Sequence, residues 1–91
     1  MLTYTKHAQK RAKGRAIPET AIELVSDFGK WRRRGQVDVV FLDRKSRARL
    51  RRHIGGAAYK DIERKLRSYV VYLDDGSIKT VAYRLGRMKT A

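Results

Sequence analysis

The chain reads as a single α+β domain in which helices pack on one side of a small twisted antiparallel sheet. Three observations predict this class. Ala21, Leu24, Val25 and Phe28 recur at i, i+3, i+4 and i+7, the spacing of one buried helix face. Two stretches rich in β-branched and aromatic residues fold back across turn-forming residues: Lys30 to Leu42 about Arg34-Gly35, and Ser68 to Arg84 about Asp74-Asp75-Gly76-Ser77. Basic helical segments separate the two hairpins, giving the order ααββααββ.

The elements follow in turn. Thr5 suits the N-cap of a helix over Lys6 to Lys13, with Gly14 as its stop. Pro18 suits the first turn of the second helix, Glu19 lies near its positive end, and Gly29 closes it. Lys30 to Arg34 and Val37 to Leu42 form the first hairpin, with Val37, Val39 and Phe41 on one face and Asp38 opposite. Asp43 caps a third helix to about His53, whose Leu50 and Ile54 face the core. Gly55-Gly56 interrupts the chain, and a fourth helix from about Ala57 to Leu66 offers Ala58, Ile62 and Leu66 as a narrow seam. On the last strand, Ile78, Thr80, Ala82 and Arg84 alternate with Lys79, Val81 and Tyr83. The tail from Gly86 is expected to fray.

The 91 residues make one domain, residues 1–91, and carry 23 Lys+Arg against 9 Asp+Glu, a formal charge of +14. The excess is concentrated in residues 30–67, which hold 14 basic and 4 acidic side chains. A folded domain that retains this much self-repulsion is suited to a polyanion, because neutralised phosphates release counterions. The chain has no cysteine and two histidines, His7 and His53. Thiolate chemistry, disulfides and cysteine-based zinc sites are therefore excluded, and no metal or cofactor is expected. The longest apolar run, Tyr69 to Leu73, is too short for a bilayer, and the N-terminus lacks a signal-peptide core. The expectation is a soluble cytoplasmic protein without a membrane partner.

Several groups carry chemistry. His7, Arg11 and Arg15 stand at i, i+4 and i+8 and share one side of the first helix if it continues far enough. Imidazole beside guanidinium suits phosphodiester chemistry, since one exchanges protons near neutral pH and the other forks onto phosphate oxygens. The same spacing also describes an ordinary solvated basic face. Thr80, Tyr83 and Arg84 either fill a strand or present a hydroxyl, a ring and a cation on a concave sheet. Trp31, among Lys30 and Arg32, Arg33 and Arg34, either stacks on a base or lies at the core edge. The third helix carries Arg44, Lys45, Arg47, Arg49, Arg51 and Arg52, which track phosphates or dock an acidic protein. The carboxylates form no catalytic dyad. Glu19, Glu23 and Asp27 line one helix, and Asp74 and Asp75 make a turn.

The stretch His7-Ala8-Gln9-Lys10-Arg11-Ala12-Lys13-Gly14-Arg15-Ala16-Ile17-Pro18, with Ile78-Lys79-Thr80-Val81 on the last strand, resembles a bacterial family of small domains. Its members open with a His-Ala-x-x-Arg helix and close with a Thr-bearing strand. They are grouped with RelE/ParE-like toxins and ribonucleases of the barnase–EndoU–colicin–RelE type. Ala16 stands where a glycine is common in that family, and the arginine-rich middle is a looser match. The resemblance implies a RelE/ParE-like fold and metal-independent RNA cleavage, with a 2′-hydroxyl attacking its own phosphodiester and His7 as general base or acid. It implies roles for Arg11, Arg15 and Arg84 on the phosphoryl oxygens, for Thr80 in the site, and for Tyr83 on a base or ribose. RNA, associated with the ribosome or free, and an acidic antitoxin are the partners it implies. Two rival readings stand beside this toxin-type endoribonuclease. One is a non-catalytic nucleic-acid-binding module, and the other is a mobile-element or phage factor that inhibits a protein or ribonucleoprotein.

Overall fold

A computed structural model describes residues 2–84; the frayed tail expected from Gly86 lies outside them. Two helices, α1 (Lys6–Gly14) and α2 (Glu19–Phe28), precede a hairpin of β1 (Lys30–Arg34) and β2 (Val37–Phe41). Next come α3 (Arg44–Ile54), α4 (Gly56–Ile62), a 3-10 turn over Lys65–Arg67, and a second hairpin of β3 (Ser68–Tyr72) and β4 (Ile78–Tyr83). The sheet is antiparallel throughout, in the order β1-β2-β3-β4. The α+β class and the element order are those the sequence predicts.

The end of α1 and the start of α2 each correct one expectation. Thr5 caps α1 as expected, its Oγ1 accepting from the Ala8 amide at 3.1 Å. Gly14, however, does not stop it. The helix runs through Gly14 and closes with the Ile17 amide on the Ala12 carbonyl (2.9 Å) and the Ala16 amide on that of Lys13 (3.2 Å). This is the Schellman arrangement. It requires a left-handed residue, and Ala16 fills that position at φ 53°. Pro18 likewise stands just outside α2, as its N-cap, with its carbonyl accepting from Ala21 and Ile22. Gly29 ends α2 where a side chain would strike the carbonyls of Val25 and Phe41 and a methyl of Val40, so the helix turns directly onto β2.

Asp43 caps α3 as expected, its Oδ1 accepting from the Ser46 amide at 2.8 Å and the Ser46 hydroxyl at 2.6 Å. These bonds hold the Asp43 carboxyl below the usual carboxylate range, with Lys30 and Arg49 assisting. The fourth helix is shorter than expected, and of its expected seam Ile62 and Leu66 hold while Ala58 does not. Tyr59, Ile62 and Leu66 face inward, whereas Ala58 is exposed.

The core lies between the helices and one face of the sheet. Ala8, Ala21, Ile22, Val25 and Leu50 from the helices meet Val40, Val70, Tyr72, Ile78 and Val81. Ile78 is a correction. Strict alternation places it with Thr80, yet it is fully buried beside Val81. An irregularity at Val71/Tyr72 pairs Tyr72 with Ile78 and Val71 with Thr80. Lys79 is thus an extra residue that returns Ile78 to the core side.

The outer edge of β4 is occupied. The Ile78 amide donates to the Thr3 carbonyl at 2.7 Å, and the Thr5 amide to that of Ile78 at 3.0 Å. The next edge carbonyls, of Lys79 and Val81, accept from Thr5 Oγ1 and Arg15 Nη1 at 3.2 Å each. Among the described residues, no helix is long and apolar enough to cross a membrane.

Candidate phosphate-binding cleft

Strand register distributes the basic residues of β1 between two faces. Trp31 pairs with Val40, and Arg33 with Asp38, on the helix-covered side; Arg32 pairs with Val39 and Lys30 with Phe41 on the other. The Trp31 ring lies 5.0 Å from that of Tyr72, its Nε1 donates to the Ser26 carbonyl at 3.2 Å, and 47% of the residue stays exposed. Arg33 is committed to protein partners, at 2.6 Å from Asp74 and 3.4 Å from Asp38. That pairing holds the Asp74 carboxyl low. The cluster Trp31-Arg32-Arg33-Arg34 is therefore not one binding patch.

The cations of α3 also diverge. Lys45 and Arg52 line a shallow groove with Lys30, Asp43 and Arg49. Arg51 lines a second groove beside Tyr59 and Lys60, and Arg44 is exposed. Arg47 is half-buried and acts on Arg84 through its charge.

A cleft of about 540 Å³ gathers Arg15, Arg64, Lys65, Arg67 and Arg84, with Tyr83 and the carboxylates of Asp61 and Glu63. Its construction follows from the local chain. Arg15 arrives at the C-cap of α1 and is anchored on β4. The 3-10 turn brings Arg67 against the end of β4, where the Arg67 carbonyl accepts from the Arg84 amide at 2.9 Å and from Arg84 Nε at 3.4 Å. The Lys65 ammonium sits 5.9 Å over the Tyr83 ring, and the Arg84 guanidinium 5.7 Å over that of Phe41. Burial lowers the Arg84 pKa, and the charges of Arg47 and Arg67 lower it further. Arg84 is thus a half-buried cation among like charges, and no ion pair among the described residues includes it. An anion placed there relieves both costs.

The structure brings together Arg15, Tyr83 and Arg84 of the residues singled out in the sequence. It leaves His7, Arg11 and Thr80 outside this lining. Arg11 Nε donates to His7 Nε2 at 3.3 Å, so the two side chains are paired on the surface of α1. Thr80 lies on the face of β4 opposite the one that α1 covers, in register with Val71 and Val39. Sequence reasoning missed Arg64, Lys65 and Arg67. The expected fourth helix to about Leu66 takes in Arg64 and Lys65, with Arg67 just beyond it, although their closeness to the start of β3 marks them as neighbours of the hairpin end. Among the described residues, no three His, Cys, Asp or Glu side chains lie close enough to hold a metal. Comparison with protein-family models, curated proteins and solved structures finds no match to this chain.

Proposed function

We propose that the protein binds RNA through its phosphate backbone, with the Arg15–Arg67–Arg84 cleft as principal contact. The observation that carries this reading is the half-buried Arg84 guanidinium, crowded by Arg47 and Arg67, in a cleft with five cations and two carboxylates. Phosphate oxygens satisfy guanidinium forks and restore the charge balance. Binding of a labelled RNA hairpin, followed as salt is raised, tests it. Log K falls linearly with log salt, and Arg67→Ala weakens binding and lowers the slope by about one phosphate contact. A salt-independent affinity, or an Arg67→Ala protein that binds as the wild type does, removes the cleft from the interface.

The His7–Arg11 pair favours a second reading, metal-independent RNA cleavage of the toxin type. Arg11 Nε–H occupies the Nε2 lone pair that a base needs. A phosphate that draws the Arg11 guanidinium away frees Nε2 to take the 2′-hydroxyl proton. The 2′-oxygen then bonds to phosphorus, the 5′-oxygen leaves with a proton taken from water, and a 2′,3′-cyclic phosphate remains. His7→Ala then abolishes cleavage, assayed in chelator, and leaves hairpin binding intact. Equal fragment yield from both proteins eliminates His7 as the base, and intact RNA with the wild type leaves binding as the whole activity. Inhibition of a partner by an acidic-protein contact has no comparable geometric support.

A further inference from the structure

The sheet face that the helices leave uncovered has its own composition. By register it presents the row Arg32–Val39–Val71–Thr80 and the row Lys30–Phe41–Tyr69–Ala82. Val37 lies on the same face of β2, and Arg84, two residues beyond Ala82, extends it. None of these side chains belongs to the hydrophobic core cluster. Phe41 and Val71 are nevertheless buried, while Val39, Tyr69, Thr80 and Ala82 are half-buried. The face is thus an apolar, aromatic floor with cations at its margins. None of the residues in these rows is acidic.

Three details say what suits that floor. Arg32 Nε is buried without a hydrogen-bond partner, so the guanidinium on one margin carries an unmet donor. Arg84 forms the other margin, over Phe41, and also lines the phosphate cleft, so face and cleft are continuous. Thr80 stands on the floor, and its hydroxyl makes no hydrogen bond among the described residues. The two margins are three strands apart, roughly 14 Å at the usual strand spacing.

The geometry points to this helix-free face as the seat of unpaired bases in single-stranded RNA, with Tyr69 as stacking platform and Arg32 and Arg84 flanking it. The inference rests on the phosphate-cleft reading and narrows its ligand. A duplex hides its base faces, and only a single strand can lay them on a flat aromatic surface while its backbone follows the arginines. The open Thr80 hydroxyl offers a partner to a ribose 2′-hydroxyl, which selects RNA over DNA.

The test compares a labelled 12-nucleotide oligouridylate, the DNA strand of the same length, and an RNA hairpin stem, with the full chain. Wild type binds the single-stranded RNA most tightly. Tyr69→Ala weakens that binding about tenfold with an unchanged salt slope, because a ring and not a phosphate contact is lost. Tyr69→Phe restores it, and neither change affects hairpin-stem binding. Arg67→Ala weakens both RNAs. Wild type that binds strand and stem alike, with the Arg67→Ala loss intact, overturns the base seat and leaves the phosphate cleft standing. Tyr69→Ala binding within twofold of wild type, in a protein whose melting curve shows it folded, also overturns the seat. Equal affinity for the DNA strand overturns the choice of RNA. Failure of the wild type to bind any of the three overturns the seat and the cleft together.

Discussion

The two faces of the sheet are made from the same four strands and answer opposite needs. On the helix-covered face, the row Trp31–Val40–Val70–Val81 is apolar, and the adjacent row sets Arg33 beside Asp38. The cation there is neutralised by Asp38 and Asp74. On the other face Arg32 has a buried Nε without a partner, and Arg84 is half-buried among like charges. Unpaired buried donors and crowded cations cost stability, and no ion pair among the described residues neutralises Arg84. The unneutralised cations thus lie on the face away from the helices, and the cation of the helix-covered face is paired. Net charge alone says that a chain is basic; the division between faces says where the charge is unspent.

The sharpest way to break this comparison is a pair of substitutions two residues apart. Ile78→Ala removes a fully buried side chain from the helix-covered face and is expected to cost about 2–5 kcal/mol. Thr80→Ala, on the other face, is expected to stay within about 0.5 kcal/mol. Urea unfolding of both proteins checks the contrast, and equal losses would contradict the bulge at Lys79. Arg84→Met comes next. It keeps the stem over Phe41 and deletes the crowded charge, so RNA affinity falls about tenfold while the melting temperature holds or rises. A fall in both would show that the guanidinium supports the fold.

Asp43→Ala sharpens the comparison by removing a carboxylate at the margin, at a cost of about 1 kcal/mol from the lost cap. Because folding depresses the Asp43 pKa, its contribution is present above the ordinary carboxylate range. It is lost as pH falls through the folded value. The wild-type advantage over Asp43→Ala should therefore shrink on acidification, as thermal melts between neutral and acid pH would show. The smallest effect is a gain. Ala16→Gly relieves the left-handed residue at the end of α1 and is expected to add about 0.5–1 kcal/mol, leaving both sheet faces and RNA binding unchanged.

Much of the fold was legible because its signals are local. The Ala21–Phe28 stripe, Asp43 as a cap, and the Asp74–Ser77 turn each act through neighbours in sequence, and each element appeared where its signal stood. The misreadings all involve positions decided by tertiary partners. Gly14 looked like a stop, but the packing of Ile17 and the carbonyl of Ala12 put the left-handed residue at Ala16. Alternation along β4 failed at Lys79, since a bulge depends on the opposing strand. The candidate site was legible in its residue types more than in its grouping. Arg15, Tyr83 and Arg84 line one cleft, while Thr80, singled out with the last two, lies outside it on the face of β4 away from α1. Trp31 and its arginines part because adjacent strand residues face opposite ways, and Arg64 to Arg67 join the cleft through a 3-10 turn that no periodicity announced.

The hydrogen bonds from Thr3 and Thr5 to Ile78, with the side chains of Thr5 and Arg15 on the next carbonyls, seal one border of the sheet. Among the described residues, β1 is the border to which no further strand pairs, and it reads Lys-Trp-Arg-Arg-Arg. A molecule with one joinable border can form a closed pair by strand addition but has no second end from which a filament could grow. Repulsion between two such cationic borders opposes even the pair. Strand addition is thereby limited to a border whose own charge resists it, and the opposite border is already paired.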